Sequence, residues 1–265
     1  MGNHTALNSG RRIGKPVAGV PHKIGQGFTA RHFSEEMFGE QMAPLLMVDD
    51  FVMTAPTFAP HQHAGISAVT VMFEDSTGTF LNRDTLGNNI GLKPGDLYWL
   101  AAAAGAVHEE WPGDGARTHA LQIFVNLPAS LKRSAAHALH VPAESVPVLE
   151  DRGYRVRVVL GRSGPAEGVK RQPEDMTMLD GFLQGAGRFI HHLPDGHQAW
   201  VYAVSGSLAI RCGDEHRALD PGEATIIGAG AELALALSAS QPCHFVLIAA
   251  RPGAPAYSFN PGEQR

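Results

Sequence analysis

Short apolar runs separated by glycine and proline dominate the hydrophobic pattern of this chain. The runs are rich in Val, Ile, Phe, Leu and Thr, and 30 Gly and 18 Pro residues punctuate them. Runs of this length and composition predict β-strands, and their regular spacing is typical of closed or sandwiched antiparallel sheets. The predicted strands are 67–73, 78–82, 96–100, 119–125, 155–160, 188–192, 200–204, 207–212, 224–227, 233–237 and 244–249.

One segment departs from this pattern. Residues 129–139 are rich in alanine, Ser130 is placed to cap their N-terminus, and Pro142 follows them. These features predict a short helix that connects two β-rich halves.

An internal repeat supports the division into halves. The segment 78–81 (GTFL) recurs at 206–209 (GSLA), and the segment 92–96 (LKPGD) recurs at 219–223 (LDPGE). Self-similarity at one period indicates two copies of one structural unit. We therefore expect two tandem antiparallel β-barrels, one in residues 1–135 and one in residues 136–265.

Composition excludes several classes of protein. The net charge is -5 and the chain has no long run of Lys or Arg, so direct binding to nucleic acid is not expected. No apolar stretch approaches the roughly 20 residues that cross a bilayer, which predicts no membrane span. The two cysteines, Cys212 and Cys243, are far apart in sequence. This spacing favours a reducing, cytoplasmic location over a disulfide framework.

The candidate chemistry lies in two short motifs, His61-Gln62-His63 and His108-Glu109-Glu110. Side chains at positions i and i+2 of a strand project from the same face, so each motif can aim two ligands into one cavity. Three imidazoles and one carboxylate suit a divalent transition metal, with Fe(II), Mn, Ni, Cu and Zn all compatible. A single buried histidine is more often a hydrogen-bonded core residue, but two alternating pairs in one repeat favour a metal site.

The second repeat lacks the equivalent residues. Alignment of Gly105 with Gly230 places Leu233 opposite His108 and Leu235 opposite Glu110. We therefore expect one metal-binding barrel and one barrel without the ligands. The histidines at 191, 192 and 197 are expected to be structural.

The motifs and the segments between them resemble the cupin superfamily and, more narrowly, the pirin family. The matching stretches are 44–51 (PLLMVDDF), 61–63 (HQH), 83–88 (RDTLGN), 92–99 (LKPGDLYW), 105–110 (GAVHEE) and 121–128 (LQIFVNLP). They run through roughly residues 30 to 130 in family order. The resemblance implies a bicupin: an all-β fold of two tandem cupin-type barrels with a short helical connector. It also implies one iron in the N-terminal barrel, bound by His61, His63, His108 and Glu110.

One departure from the family pattern follows the first motif. Pirins typically continue with Arg-Gly-Phe-Glu-Thr, whereas this chain has Ala64-Gly65-Ile66-Ser67-Ala68. The Arg and the Glu are missing, and many other cupins place a ligating Glu where Ser67 stands. We expect the ligand set to survive and the pocket beside it to have lost two charged groups.

The resemblance implies two alternative functions. One is a mononuclear non-haem iron dioxygenase of quercetinase type, acting on small flavonol-like or catechol-like aromatic substrates with Glu110 as the catalytic base. The other is a non-enzymatic, iron-dependent redox-sensing regulator that acts through protein partners. A different metal-dependent cupin activity, such as isomerisation, ranks third. Gln122, Phe73, Tyr98 and Phe124 are candidates to line the barrel, although core packing explains them at least as well.

Overall fold

The computed structural model describes residues 12–39, 41–169 and 175–253, and most of these residues lie in β-strands. The strands that precede residue 142 are β1 (Val17–Ala18), β2 (Val20–Ile24), β3 (Phe28–Ser34), β4 (Leu45–Met53), β5 (His61–His63), β6 (Ile66–Met72), β7 (Phe80–Asp84), β8 (Asn89–Leu92), β9 (Leu97–Ala101), β10 (Ala106–Pro112), β11 (Thr118–Asn126) and β12 (His137–Val141).

The strands that follow are β13 (Val148–Asp151), β14 (Tyr154–Leu160), β15 (Arg162–Ser163), β16 (Ala166–Glu167), β17 (Met176–Leu183), β18 (Arg188–Leu193), β19 (Gln198–Ser205), β20 (Leu208–Cys212), β21 (Glu215–Leu219), β22 (Glu223–Ile227), β23 (Leu233–Ser238) and β24 (Cys243–Ala250). Each of the eleven predicted strands overlaps one of these, so the strand predictions are confirmed. Two short 3-10 helices, Glu35–Phe38 and Ala143–Ser145, complete the secondary structure of the described residues.

Two barrels of the same construction follow each other. The first combines a seven-stranded sheet, in the order β12-β9-β6-β11-β4-β3-β2, with a four-stranded sheet, β5-β10-β7-β8. The second repeats this plan with β1-β22-β19-β24-β17-β14-β13 and β18-β23-β20-β21. The predicted all-β, two-barrel fold is therefore confirmed.

Two edge strands pair with a barrel that is built mainly from the other half of the chain. β1 comes from the N-terminal part of the chain but pairs with β22 in the second barrel, with Val17 opposite Ala224. β12 follows residue 135 but pairs with β9 in the first barrel. The division at residue 135 stays a prediction.

The large sheets of the two barrels share one apolar core. Phe33 from the first barrel contacts Trp200 and Tyr202 from the second, with ring centroids 5.5 and 5.2 Å apart. All three side chains are almost completely buried. Because burial of large aromatic side chains is a strong stabilising contribution, this core holds the barrels against each other.

The predicted helix at residues 129–139 is wrong. Residues 129–133 form turns, in which the Leu131 amide donates to the Pro128 carbonyl over 2.8 Å, and β12 begins at His137. β12 supplies the edge partner for β9, with His137 opposite Ala101. Helix propensity is a weak preference, and pairing of an exposed sheet edge outweighs it here. Within the described residues no helix is long and apolar enough to span a membrane.

Candidate metal centre

The pairing of β5 with β10 brings three histidines together. His61 lies directly opposite His108, and His63 lies opposite Ala106. The three imidazole ring centroids are 4.8 to 4.9 Å apart, and one ligand nitrogen from each ring falls within 4.8 Å of the other two. Strand alternation therefore produces the convergence that the sequence spacing predicts.

The geometry of the triad and the charge state of His63 and His108 fit a divalent transition metal. The Nε2 atoms of His63 and His108 lie 3.0 Å apart. Two metal–nitrogen bonds of about 2.1 Å at a right angle would give roughly this separation. Burial, followed by the charge of neighbouring histidines, lowers the pKa of His63 to about 4 and the pKa of His108 to about 3. Both rings are therefore neutral near pH 7 and have lone pairs available for a metal.

Glu110 lies in the same barrel but outside the close group of ligand atoms. The Thr70 hydroxyl donates to its Oε1 over 2.8 Å. Burial raises the pKa of Glu110 to about 7, although the hydrogen bond from Thr70 acts in the opposite direction. The structure thus brings the three predicted imidazoles together and places the predicted carboxylate beside them, held by a hydroxyl.

A cavity of about 460 Å³ extends from the triad. Its lining is mainly aromatic and sulfur-containing, and it comprises His22, Ile24, Phe28, Met47, Asp49, Phe51, Met53, Phe58, Ala59, Pro60, His61, His63, Phe80, His108, Glu110, Gln122 and Phe124. Of the four candidate lining residues, Gln122 and Phe124 take this position. Tyr98 packs in the core below and donates to Asp84. Phe73 lies elsewhere, between His119 and His244 at the contact of the two barrels.

Asp49 is a cavity residue that the sequence reasoning missed. Its Oδ1 lies 2.7 Å from Nδ1 of His32, and this hydrogen bond raises the pKa of His32 although burial opposes the shift. Met47 and Phe51 flank Asp49 at two-residue spacing and also line the cavity. The alternation of β4 was the signal that could have placed Asp49 on this face.

The altered residues after His63 lie away from the cavity. Thr70 and Ala68 are on the cavity face of β6, because Thr70 contacts Glu110 and Ala68 pairs with Phe124. Ser67 is on the opposite face, where its hydroxyl is buried without a hydrogen-bond partner. The expectation that the pocket beside the metal lost a charged group at position 67 is therefore wrong, because neighbouring residues of a strand point to opposite faces of the sheet. Ala64 is exposed and does not line the cavity.

The second barrel is filled with apolar side chains where the first holds its histidines. Leu233 pairs with Leu193, and Leu235 pairs with His191. Leu193 and Leu235 belong to one buried cluster and Leu233 packs against it, while Nδ1 of His191 lies 3.0 Å from the Ser163 hydroxyl. Within the described residues, the triad of the first barrel is the only group of three potential ligands this close together.

Two tandem β-barrels, with converging imidazoles in the first, define the chain as a bicupin with a candidate metal centre. The pirin family profile matches residues 18–125. Mouse Pirin is 30% identical over 217 residues, which cover 80% of this chain and 73% of the mouse protein. The chain belongs to the pirin family.

Other similar proteins are named as quercetin dioxygenases or were solved with a bound metal. A Pseudomonas aeruginosa protein named "Putative quercetin 2,3-dioxygenase PA3240" is 37% identical over 184 residues, covering 64% of this chain and 63% of that protein. The crystal structure of a quercetin 2,3-dioxygenase from Acinetobacter baumannii has a TM-score of 0.80 at 24% identity and covers 94% of this chain and 90% of its own. The bacterial pirin YhhW from Escherichia coli, solved in complex with nickel(II), has a TM-score of 0.67 at 18% identity and covers 89% and 96%. The two structures share the fold of this chain.

Proposed function

We propose that this protein is a mononuclear non-haem metal dioxygenase of quercetinase type that acts on flavonol-like or catechol-like substrates. His61, His63, His108 and Glu110 would hold one divalent transition metal, with Fe(II) expected first. The observation that carries the proposal is the convergence of three imidazoles on a largely aromatic cavity that also holds an ionisable carboxylate. The relatives named as quercetin dioxygenases and the nickel-bound pirin support it.

The cavity suits a flat, uncharged aromatic molecule. Its volume of about 460 Å³ is in the range of small-molecule sites, and Phe28, Phe51 and Phe124 are among its walls. Aromatic walls bind a planar ring by stacking and by excluding water. Among the described residues, the lining holds no Lys or Arg that could pair with a negatively charged substrate group.

Glu110 is the proposed base. In the metal-free site, burial raises the pKa of Glu110 to about 7, close to the pH at which a general base is most effective. When one of its oxygens is not bound to the metal, it can accept the proton of a substrate hydroxyl while the Thr70 hydroxyl holds Oε1. The metal, when bound, would supply positive charge that stabilises the anion formed.

The test measures bound metal and oxygen uptake in the same preparations. The purified protein is reconstituted anaerobically with Fe(II), its metal content is quantified, and O₂ uptake is followed with quercetin. We expect His61→Ala to lose bound metal and uptake. Glu110→Gln should lose uptake and bind the metal more weakly, since the amide is a poorer base and a poorer ligand.

The matched control is His216→Ala, which removes an exposed histidine of the second barrel and should change neither quantity. Bound iron without uptake over a panel of flavonols and catechols would contradict the dioxygenase and favour the redox-sensing regulator. Absence of bound metal after reconstitution would contradict both.

A further inference from the structure

A second, larger cavity lies where the two barrels meet. It has a volume of about 730 Å³ and takes its walls from β2, β3, β4 and β11 of the first barrel and from β17, β19 and β24 of the second. We call it the junction cleft. It shares only His22 with the metal cavity, because β4 presents Asp50 to the cleft and Asp49 to the opposite face.

The acidic groups of the junction cleft already have partners. Oδ1 of Asp50 lies 3.0 Å from Nε2 of His119, and Oδ2 of Asp50 accepts from the Tyr202 hydroxyl. Asp75 lies 2.8 Å from Nδ1 of the same histidine and 3.6 Å from Arg117. Although burial opposes it, the two aspartates raise the pKa of His119. The two aspartates of the lining thus share His119 as a partner, and Asp75 also lies near Arg117.

Two positive charges of the cleft are not compensated in this way. The Lys23 ammonium and the Arg31 guanidinium, both on exposed residues, form no ion pair or hydrogen bond within the described part of the chain. The guanidinium of Arg31 lies over Gly222 in a turn of the second barrel, at the position that a Cβ would take. Gly222 also has a φ of +87°, which favours glycine. The turn therefore leaves space for an arginine side chain whose charge has no carboxylate partner.

The remaining walls complete a site for a small amphipathic anion. The hydroxyls of Thr29 and Ser205 line the cleft beside the two cations, and Phe182, Val52 and Val204 supply an apolar part. An arginine fork matches the two oxygens of a carboxylate or phosphate, and a nearby lysine adds a point charge.

We propose that the junction cleft binds a small organic oxyanion, a carboxylate or phosphate carried on an apolar body, through Arg31 and Lys23. The site is independent of the metal centre and of the proposed dioxygenase activity. It joins residues of both barrels, so the intact two-barrel chain is required to form it.

The experiment is calorimetric titration of the full chain with benzoate and, separately, with phenyl phosphate. It uses the His61→Ala background with a chelator present, so that binding to a metal cannot contribute. We expect saturable binding of at least one probe that weakens with added salt. Arg31→Met should lower the affinity at least tenfold, Arg31→Lys should lower it less, and Lys23→Met should also lower it.

The matched control is Arg188→Met, which removes an exposed arginine of β18, a strand that does not line the cleft, and should leave the affinity unchanged. Thermal melts of each variant check that it is folded. Benzoate binding alone assigns the carboxylate, and phenyl phosphate binding alone assigns the phosphate. Failure of both probes to bind, or equal binding by folded Arg31→Met, would overturn the proposal.

Discussion

Arg157 is a buried cation that connects the two barrels, and its removal should be strongly destabilising. Its side chain is almost completely enclosed, donates to Oδ2 of Asp180 over 2.9 Å and also donates to the carbonyl of Gly95 in the first barrel. His244 approaches the other oxygen of Asp180 at 2.6 Å. Burial opposes ionisation of Asp180, but the charges and hydrogen bonds of His244 and Arg157 outweigh it and lower the pKa of this carboxyl.

Arg157→Met keeps much of the aliphatic stem and removes the guanidinium. The change leaves the buried Asp180 charge with one partner in place of two and leaves the Gly95 carbonyl without this donor. Breaking a buried ion pair from one side costs about 3 to 5 kcal/mol, because the desolvated charge that remains is uncompensated. We expect a loss of stability in this range, measured as the free energy of urea unfolding by circular dichroism and tryptophan fluorescence.

Two further variants isolate the cause. Arg155→Met removes a neighbouring arginine that pairs with Glu74 at the surface, and it should cost only about 0 to 1 kcal/mol. Adding Asp180→Asn to Arg157→Met removes the buried negative charge while keeping an oxygen that can accept from His244, so it should recover part of the loss. A cost below about 1 kcal/mol for Arg157→Met, or no recovery in the double variant, would refute the reasoning.

Three further predictions concern the metal, an unpartnered hydroxyl and a charged histidine. A metal at one hundred times its Kd should raise the free energy of unfolding by about 2.7 kcal/mol, measured by thermal or urea unfolding. His108→Ala should abolish this gain in stability. An equal gain in the variant would mean that the metal binds elsewhere. Ser67→Ala should raise the free energy of unfolding by about 1 kcal/mol, since the buried hydroxyl has no partner; a loss of stability would contradict this. The pKa of His119 is raised in the fold, so its protonated side chain contributes fully to the free energy of unfolding below pH 6.5. This contribution is lost as the pH rises through the pKa of His119 in the folded protein. The stability difference between wild type and His119→Gln should therefore shrink above pH 6.5, and a difference that grows with pH would reverse the assignment.

The sequence by itself determined the elements whose signals are local. Short apolar runs punctuated by Gly and Pro located the eleven predicted strands. The i, i+2 spacing within His61-Gln62-His63 and within His108-Glu109-Glu110 predicted that the two ligands of each motif share a face. The repeat between the halves predicted two barrels. These features follow from the geometry of a strand, in which side chains alternate whatever the strand later pairs with.

Only the tertiary structure decided which face each residue occupies and what lies across from it. Residues 129–139 have the composition of a helix, yet the chain from His137 onward forms β12, which pairs with the edge of β9. Ser67 is next to Ala68 of the cavity face, so its own side chain lies on the opposite face of the sheet, away from the cavity. The junction cleft sets Arg31 over Gly222, which is far away in the chain. Such contacts depend on strand pairing and barrel packing over long sequence separations, and no local pattern encodes them.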